Sequence, residues 1–217
     1  MNAHGEQVTL AVAAIQERLV ELGGVGVQIM GVTKAHGPWA IRSAHDAGLG
    51  HVGENYAQEV RDKADVLGTV RSAGVRVHFI GALQTNKVRM IAAHVDVVQS
   101  VDRLSLIDEL AKRAAGCAVM VQVRHGDEDN KAGCAPREVP GLVDAALNRG
   151  LRVEGLMTIG PTNGDRVATG RAFAATRALV DMLGLQECSM GMTDDLDLAV
   201  AEGTTMIRVG RALFGAR

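Results

Sequence analysis

Short apolar runs alternate with segments of helical periodicity along almost the whole chain. The runs at residues 28–34, 77–81 and 118–123 have strand length and end at glycine or polar positions, which is typical of strands buried on both faces. The segments between the runs repeat apolar residues every three or four positions, as in residues 7–22, and several begin at proline or stop at glycine. This alternation predicts a parallel sheet whose strands are joined by crossover helices.

The pattern contains about eight strand–helix units, which close most naturally into a barrel. We therefore expect an α/β fold, a (β/α)8 TIM-type barrel, with residues 1–217 forming a single domain, since no linker or repeat divides the chain. A doubly wound open sheet is the alternative architecture, but no Gly-x-Gly-x-x-Gly follows the first strand.

Composition narrows the classes of partner. The net charge is -2, aromatic residues make up 2% of the chain and basic residues form no run, so nucleic-acid binding is not expected. The apolar runs are too short for a membrane span, and the first residues lack the pattern of a signal peptide. The three cysteines form no Cys-x-x-Cys pair; this predicts a reducing, cytoplasmic location without disulfides or a zinc site.

A parallel barrel carries its functional residues at the carboxyl ends of its strands. The residues that fall there are Lys34, Glu54, Asn55, Gly81 with His78 close by, Ser100, Arg124, His125, Met157, Thr158, Ser189, Met190, Gly191, Arg208, Gly210 and Arg211. The turns after strands seven and eight are the common phosphate site of such barrels, because backbone N–H groups there point at an anion.

Lys34 is the candidate nucleophile. A lysine at the end of a buried strand is half desolvated, which favours the neutral amine that attacks aldehydes. The alternative is a lysine that ends its strand and extends to water. Lys63 and Lys112 are predicted on solvated helix faces, while Lys87 and Lys131 are weaker candidates for binding an anion.

A phosphate site opposite a nucleophilic lysine favours a phosphorylated aldehyde. Pyridoxal 5'-phosphate (PLP) fits this description, with Lys34 as the Schiff-base lysine. From spacing alone, a non-enzymatic module for another phosphorylated metabolite stays open.

Six segments together resemble the pyridoxal-phosphate homeostasis protein family, the single-domain relatives of the alanine racemase N-terminal barrel. They are residues 31–34 (Gly-Val-Thr-Lys), 52–59 (Val-Gly-Glu-Asn-Tyr-Ala-Gln-Glu), 78–87 (His-Phe-Ile-Gly-Ala-Leu-Gln-Thr-Asn-Lys), 155–159 (Gly-Leu-Met-Thr-Ile), 189–195 (Ser-Met-Gly-Met-Thr-Asp-Asp), and 207–210 with 213–215.

The resemblance implies an intracellular PLP carrier or regulator that acts in PLP homeostasis without efficient turnover. It implies that Lys34 forms the Schiff base and that Ser189, with the backbone of Gly210 and Arg211, holds the phosphate. It places Arg208 near the pyridine nitrogen. It also implies that Asn55 and His78 line the pocket. The arginine at position 211 departs from the small or hydroxyl residue of the family, which leaves only a backbone contact there.

Two further features favour a binder over an enzyme. An arginine at the ring nitrogen can only donate, so the ring is a poorer electron sink. Racemisation also needs a second acid/base opposite the lysine, and the only tyrosine, Tyr56, opens a helix where we expect it to be packed or at the solvent edge. A weak amino-acid racemase is the alternative. The expected partners are PLP and PLP-dependent apoenzymes, and the expected state is a monomer, because the racemase's second domain is missing.

Overall fold

Eight parallel strands form a closed barrel. The computed structural model describes residues 3–126, 132–161 and 164–216. The strands, β1 to β8, are Gln28–Val32, His51–Glu54, Arg76–Phe79, Val97–Val101, Ala118–Val123, Arg152–Thr158, Glu187–Ser189 and Met206–Val209. Each strand pairs with the next in parallel, and β1 pairs with β8, which closes the sheet. The predicted (β/α)8 barrel is confirmed, and the open sheet is excluded.

Helices follow the strands on the outside of the barrel. The helices, α1 to α10, are Ala3–Glu21, Pro38–Asp46, Ala57–Asp62, Ala64–Ser72, Val88–Ile91, Leu104–Arg113, Val139–Asn148, Arg166–Met182, Leu196–Ala201 and Arg211–Phe214. Three 3-10 turns, Thr85–Lys87, Pro136–Glu138 and Thr193–Asp195, precede α5, α7 and α9. Among the described residues, no helix combines the length and the apolar character that crossing a membrane requires.

One predicted helix is divided in two. The periodicity of Val60, Ala64 and Leu67 predicts one continuous helix, whereas α3 ends at Asp62 and α4 begins at Ala64. The intervening Lys63 turns inward and is buried, so the prediction that it lies on a solvated face is wrong. The cause is a pair of carboxylates, the buried Glu54 and the partly buried Glu59, that periodicity alone does not reveal.

The apolar core lies mainly between the strands and the helices, while the barrel interior is partly polar. A separate small cluster of Val97, Ala118, Met120 and Met157 is fully buried. Next to it Gln99 on β4 hydrogen-bonds Ser189 on β7. Because β4 and β7 are not neighbours in the sheet, this contact must cross the inside of the barrel.

Candidate functional site

A cavity of about 860 Å³ opens at the carboxyl ends of the strands. Five of the seven predicted site residues line it, namely Lys34, Asn55, Arg208, Gly210 and Arg211. His78 and Ser189 are not among the lining residues and are fully buried. The site therefore has a wall of predicted residues and a supporting layer beneath it.

Barrel closure brings Lys34 next to the last turn of the chain. Gly31 on β1 is paired with Val209 on β8, and each strand continues past this pair toward the same end of the barrel. Lys34 is half-buried and follows β1, while Gly210 follows β8 and starts α10. The candidate nucleophile and the candidate anion turn thus belong to one cavity.

Arg208 is the fixed cation of the cavity wall. Its Nη1 donates to the carbonyl oxygen of Ser189 at 2.8 Å and to the Ser189 hydroxyl at 2.9 Å. Its Nη2 donates to the carbonyl oxygen of Thr158 at 2.7 Å. Burial lowers the pKa of Arg208 to about 10, although Asp195 opposes the shift. The guanidinium is therefore still charged at neutral pH, and its three hydrogen bonds hold it in one orientation.

A chain of hydrogen bonds continues from Arg208 across the barrel. The Ser189 hydroxyl lies 2.9 Å from Gln99 Oε1. Gln99 Nε2 lies 3.0 Å from His78 Nδ1, and His78 Nε2 lies 2.9 Å from His51 Nδ1. These bonds join β8, β7, β4, β3 and β2 through the interior.

The direction of this chain follows from its first member. A guanidinium can only donate, so the Ser189 hydroxyl accepts from Arg208 and donates its own proton to Gln99 Oε1. The amide of Gln99 then donates to His78 Nδ1, which leaves the His78 proton on Nε2, where it is donated to His51. Both histidines are consequently neutral, with their protons on Nε2.

Burial agrees with this assignment. Burial, with the charge of Arg76, lowers the pKa of His51 to about 4. Burial also lowers the pKa of His78 well below its usual value, with smaller contributions from His51 and Arg76. Neither imidazole is expected to carry a charge at neutral pH.

Asn55 offers an unused acceptor at the edge of the cavity. Its Oδ1 is buried and has no hydrogen-bond partner among the described residues. The adjacent strand can come this close only because residue 81 is glycine, since a Cβ on Gly81 would lie 2.1 Å from the Asn55 carbonyl oxygen. A buried polar atom of this kind is usually satisfied by a ligand or by water.

His78 and Ser189 lie deeper than the sequence predicted. Both side chains alternate inward from their strands and use their polar atoms to support Arg208 within the barrel. That Ser189 holds a phosphate and that His78 contacts the ligand therefore remain predictions.

The cavity wall also includes residues outside the seven predicted site residues. Thr193 follows the Ser189–Gly191 turn and lines the cavity, and its position in the glycine-containing motif was the available signal. His36 also lines the cavity and contacts Trp39 edge-on and Phe214 at a tilt, with ring centroids 5.7 and 5.6 Å away.

The two secondary lysine candidates are not placed on the cavity wall. Lys87 is half-buried in the turn before α5 and is absent from the lining residues. Lys131 lies outside the described residues. Within the described ranges, no group of three or more His, Cys, Asp or Glu side chains has the geometry of a metal site.

The comparisons with known proteins match almost the whole chain. The family model for the alanine racemase N-terminal domain matches residues 10–217. A pyridoxal phosphate homeostasis protein of Pseudomonas aeruginosa is 41% identical over 226 residues, which cover 100% of this chain and 97% of that protein. One from Escherichia coli K12 is 36% identical and covers 88% of this chain and 86% of its own length.

A solved structure is similar to this chain in both sequence and fold. PipY of Synechococcus elongatus PCC7942, whose structure has PLP bound, superposes with a TM-score of 0.82 and is 33% identical. The match covers 96% of this chain and 100% of PipY. The similarity in sequence and in fold therefore extends over almost the whole chain.

Proposed function

The chain belongs to the family of pyridoxal phosphate homeostasis proteins, and on that premise we propose that it binds PLP and acts in PLP homeostasis as a carrier or regulator. The observation that carries the proposal is the shared cavity of Lys34 and the turn at Gly210. An amine and an anion-binding turn within one cavity match a small aldehyde with a phosphate tail.

The residues present fit this cofactor. Asn55 Oδ1 is a buried acceptor without a partner among the described residues, and Arg208 is a buried donor on the same wall. The charge of Arg208 also favours an anionic ligand. When bound, PLP supplies an aldehyde that condenses with a lysine amine and a ring that can accept electrons.

Each wall residue has a proposed role. Lys34 provides the amine, and Gly210 and Arg211 provide backbone N–H groups for the phosphate, since the first N–H groups of a helix have no partner within it. Arg208 orients the ring nitrogen, and Ser189 holds Arg208 in place. The arginine side chain at position 211 is exposed and is not needed for the backbone contact.

We further propose that the protein has no efficient turnover. Arg208 is charged at neutral pH and can only donate, so it favours an unprotonated ring nitrogen, which weakens the ring as an electron sink. The tyrosine, Tyr56, is half exposed and is not among the lining residues. Tyr56 is therefore not placed to act as the second acid/base that racemisation needs.

The finer expectations about the cellular role are part of the same proposal. We propose PLP-dependent apoenzymes as recipients of the cofactor, a monomer as the solution state and the cytoplasm as the location. The free thiols of all three cysteines support a reducing compartment. Light scattering of the purified protein tests the monomer, and transfer of PLP to an apoenzyme tests the delivery.

The binding proposal is tested by visible absorbance. After incubation with PLP and removal of excess, the wild-type protein is expected to hold a visible absorption band that the Lys34→Ala variant lacks. Lys87→Ala serves as the matched control. A colourless wild-type protein would support a different phosphorylated ligand. Alanine racemisation at about 1 s⁻¹ or faster, within the usual range for enzymes, would contradict the absence of turnover.

A further inference from the structure

The residue after Lys34 has an unusual backbone conformation. Ala35 has φ +60°, the one positive φ of a residue other than glycine in the described part of the chain. L-residues adopt this region at a cost, and it persists only where surrounding contacts impose it. His36 N–H donates to the Thr33 carbonyl oxygen at 3.2 Å, so Lys34 and Ala35 are the central residues of a tight turn.

A carboxylate holds the strained residue. The Ala35 N–H lies 2.9 Å from Glu59 Oε2 and 3.2 Å from Oε1. Glu59 belongs to α3, which packs beside this turn. A charge-assisted hydrogen bond to a carboxylate is among the stronger contacts available to a backbone amide, so Glu59 is suited to hold the left-handed residue.

The residue before Lys34 is held by a second carboxylate. The Thr33 hydroxyl donates to Glu54 Oε1 at 2.7 Å, and both side chains are fully buried. The Thr33 N–H donates to the Gly53 carbonyl oxygen at 3.0 Å. Lys34 is therefore bracketed on both sides by backbone that is tied to β2 and α3.

One buried lysine joins the two carboxylates. Lys63 Nζ lies 2.7 Å from Glu54 Oε1, 2.7 Å from Glu59 Oε2 and 3.0 Å from the Thr33 carbonyl oxygen. An ammonium group has three N–H donors, so these three acceptors satisfy it. The break between α3 and α4 is what allows Lys63 to reach them.

We propose that Glu59 and Lys63 are positioning residues, which fix the turn of Thr33 to Ala35 and so aim the Lys34 amine into the cavity. This inference rests on the proposed PLP binding through Lys34. Bringing Lys63 together with Glu54 and Glu59 costs desolvation free energy. The positioning role gives this ion-pair cluster a functional reason.

The direct test is Glu59→Ala, because Glu59 is partly exposed and its loss leaves Lys63 paired with Glu54. The PLP dissociation constant and the pH profile of the visible band are measured for the wild type, Glu59→Ala, Glu59→Gln and Asp62→Ala. Gln retains an oxygen that can accept from Ala35. Asp62 is an exposed carboxylate of the same helix, paired with Arg61, and serves as the matched control.

The expected result is a dissociation constant about tenfold or more higher in Glu59→Ala, which corresponds to about 1.4 kcal/mol, together with a shifted pH profile. Glu59→Gln is expected to restore most of the affinity, and Asp62→Ala to match the wild type. A Glu59→Ala variant equal to the wild type in both measurements would overturn the inference and leave the proposed function intact. A wild-type protein that forms no visible band would overturn both.

Lys63→Met gives a second, independent variant. The single change leaves the buried Glu54 carboxylate without its ammonium partner. The Lys63→Met, Glu54→Gln double variant removes that charge, and thermal unfolding of both variants is measured alongside PLP binding. If the double variant is folded, it is expected to bind PLP as weakly as Glu59→Ala. Wild-type affinity in the folded double variant would contradict a positioning role for Lys63.

Discussion

Arg208 donates to both the carbonyl and the hydroxyl oxygen of Ser189, at 2.8 and 2.9 Å. This pair joins the cavity wall to the polar interior of the barrel. Because the Ser189 hydroxyl is occupied by Arg208 and Gln99, a change deep in the barrel is expected to reach the ligand through the orientation of one guanidinium.

Arg208→Lys is predicted to weaken retention of PLP. A lysine keeps the charge but cannot reproduce the planar fork that contacts Ser189 and Thr158. The expected loss is about 1.5–3 kcal/mol of binding free energy, the usual range for a hydrogen bond to a charged group. Release of PLP after dilution measures it. Arg208→Ala is expected to release PLP at least as fast, and unchanged release in both variants would contradict the assigned role.

Gln99→Leu is predicted to perturb the site without touching the cavity. The change removes the acceptor of Ser189 and the donor to His78, and each buried polar group left without a partner costs about 1–3 kcal/mol. We expect lower stability in urea unfolding and a shifted absorption maximum of bound PLP. An absorption maximum and release rate equal to those of the wild type would show that Arg208 keeps its orientation without Gln99.

The buried histidines predict a loss of stability in mild acid. The folded-state pKa of His51 is lowered from 6.5 to about 4, and that of His78 lies well below 6.5, so as the pH falls below 6.5 the unfolded chain binds protons that the folded chain does not. The unfolding free energy therefore falls as the pH drops, by up to about 1.4 kcal/mol per pH unit for each such group.

Urea unfolding across this pH range tests the assignment. His78→Asn is expected to lower the slope of unfolding free energy against pH. His94→Asn, at a partly exposed position outside the hydrogen-bond chain, is the matched control. If the slope of His78→Asn equals that of the wild type, His78 does not carry the effect.

Gly81→Ala is predicted to damage the edge of the cavity. The new Cβ would lie 2.1 Å from the Asn55 carbonyl oxygen, so the backbone of Asn55 must move and its side-chain acceptor with it. Overpacking of this kind costs about 1–3 kcal/mol, and PLP affinity is expected to fall as well. Thermal unfolding and PLP titration measure the two effects. Gly68→Ala, in the interior of α4 where a Cβ meets nothing within 4 Å, should leave PLP affinity unchanged and raise stability slightly, by about 0.5–1 kcal/mol, because Ala is the better helix former.

The order of elements and the wall of the cavity could be predicted from the sequence. The alternation of apolar runs and helical segments predicts the order of strands and helices along the chain. The rule that sites lie at strand ends, together with the family resemblance, predicts a shared site for Lys34, Asn55, Arg208, Gly210 and Arg211, and all five line one cavity. The position at strand ends is a general property of parallel barrels, whereas the family resemblance distinguishes these residues from the other side chains at strand ends.

The supporting layer could not be predicted in the same way. His78 and Ser189 stand at strand ends in the sequence, but whether a side chain reaches the cavity or the interior depends on strand tilt and register, which local patterns do not determine. Helical periodicity predicts a solvated Lys63, because its burial depends on the contact with Glu54 on β2, whereas Glu59 is only an i,i+4 partner. Contacts of this kind depend on tertiary packing.

The central claim is that the Lys34 amine binds the aldehyde of PLP, and borohydride reduction followed by peptide mapping tests it most directly. The protein is incubated with PLP, reduced and digested, and the modified lysine is identified by mass spectrometry. We predict a single modified position, Lys34, with about one cofactor per chain. Modification of Lys63, Lys87 or another lysine, with Lys34 unmodified, would contradict the account.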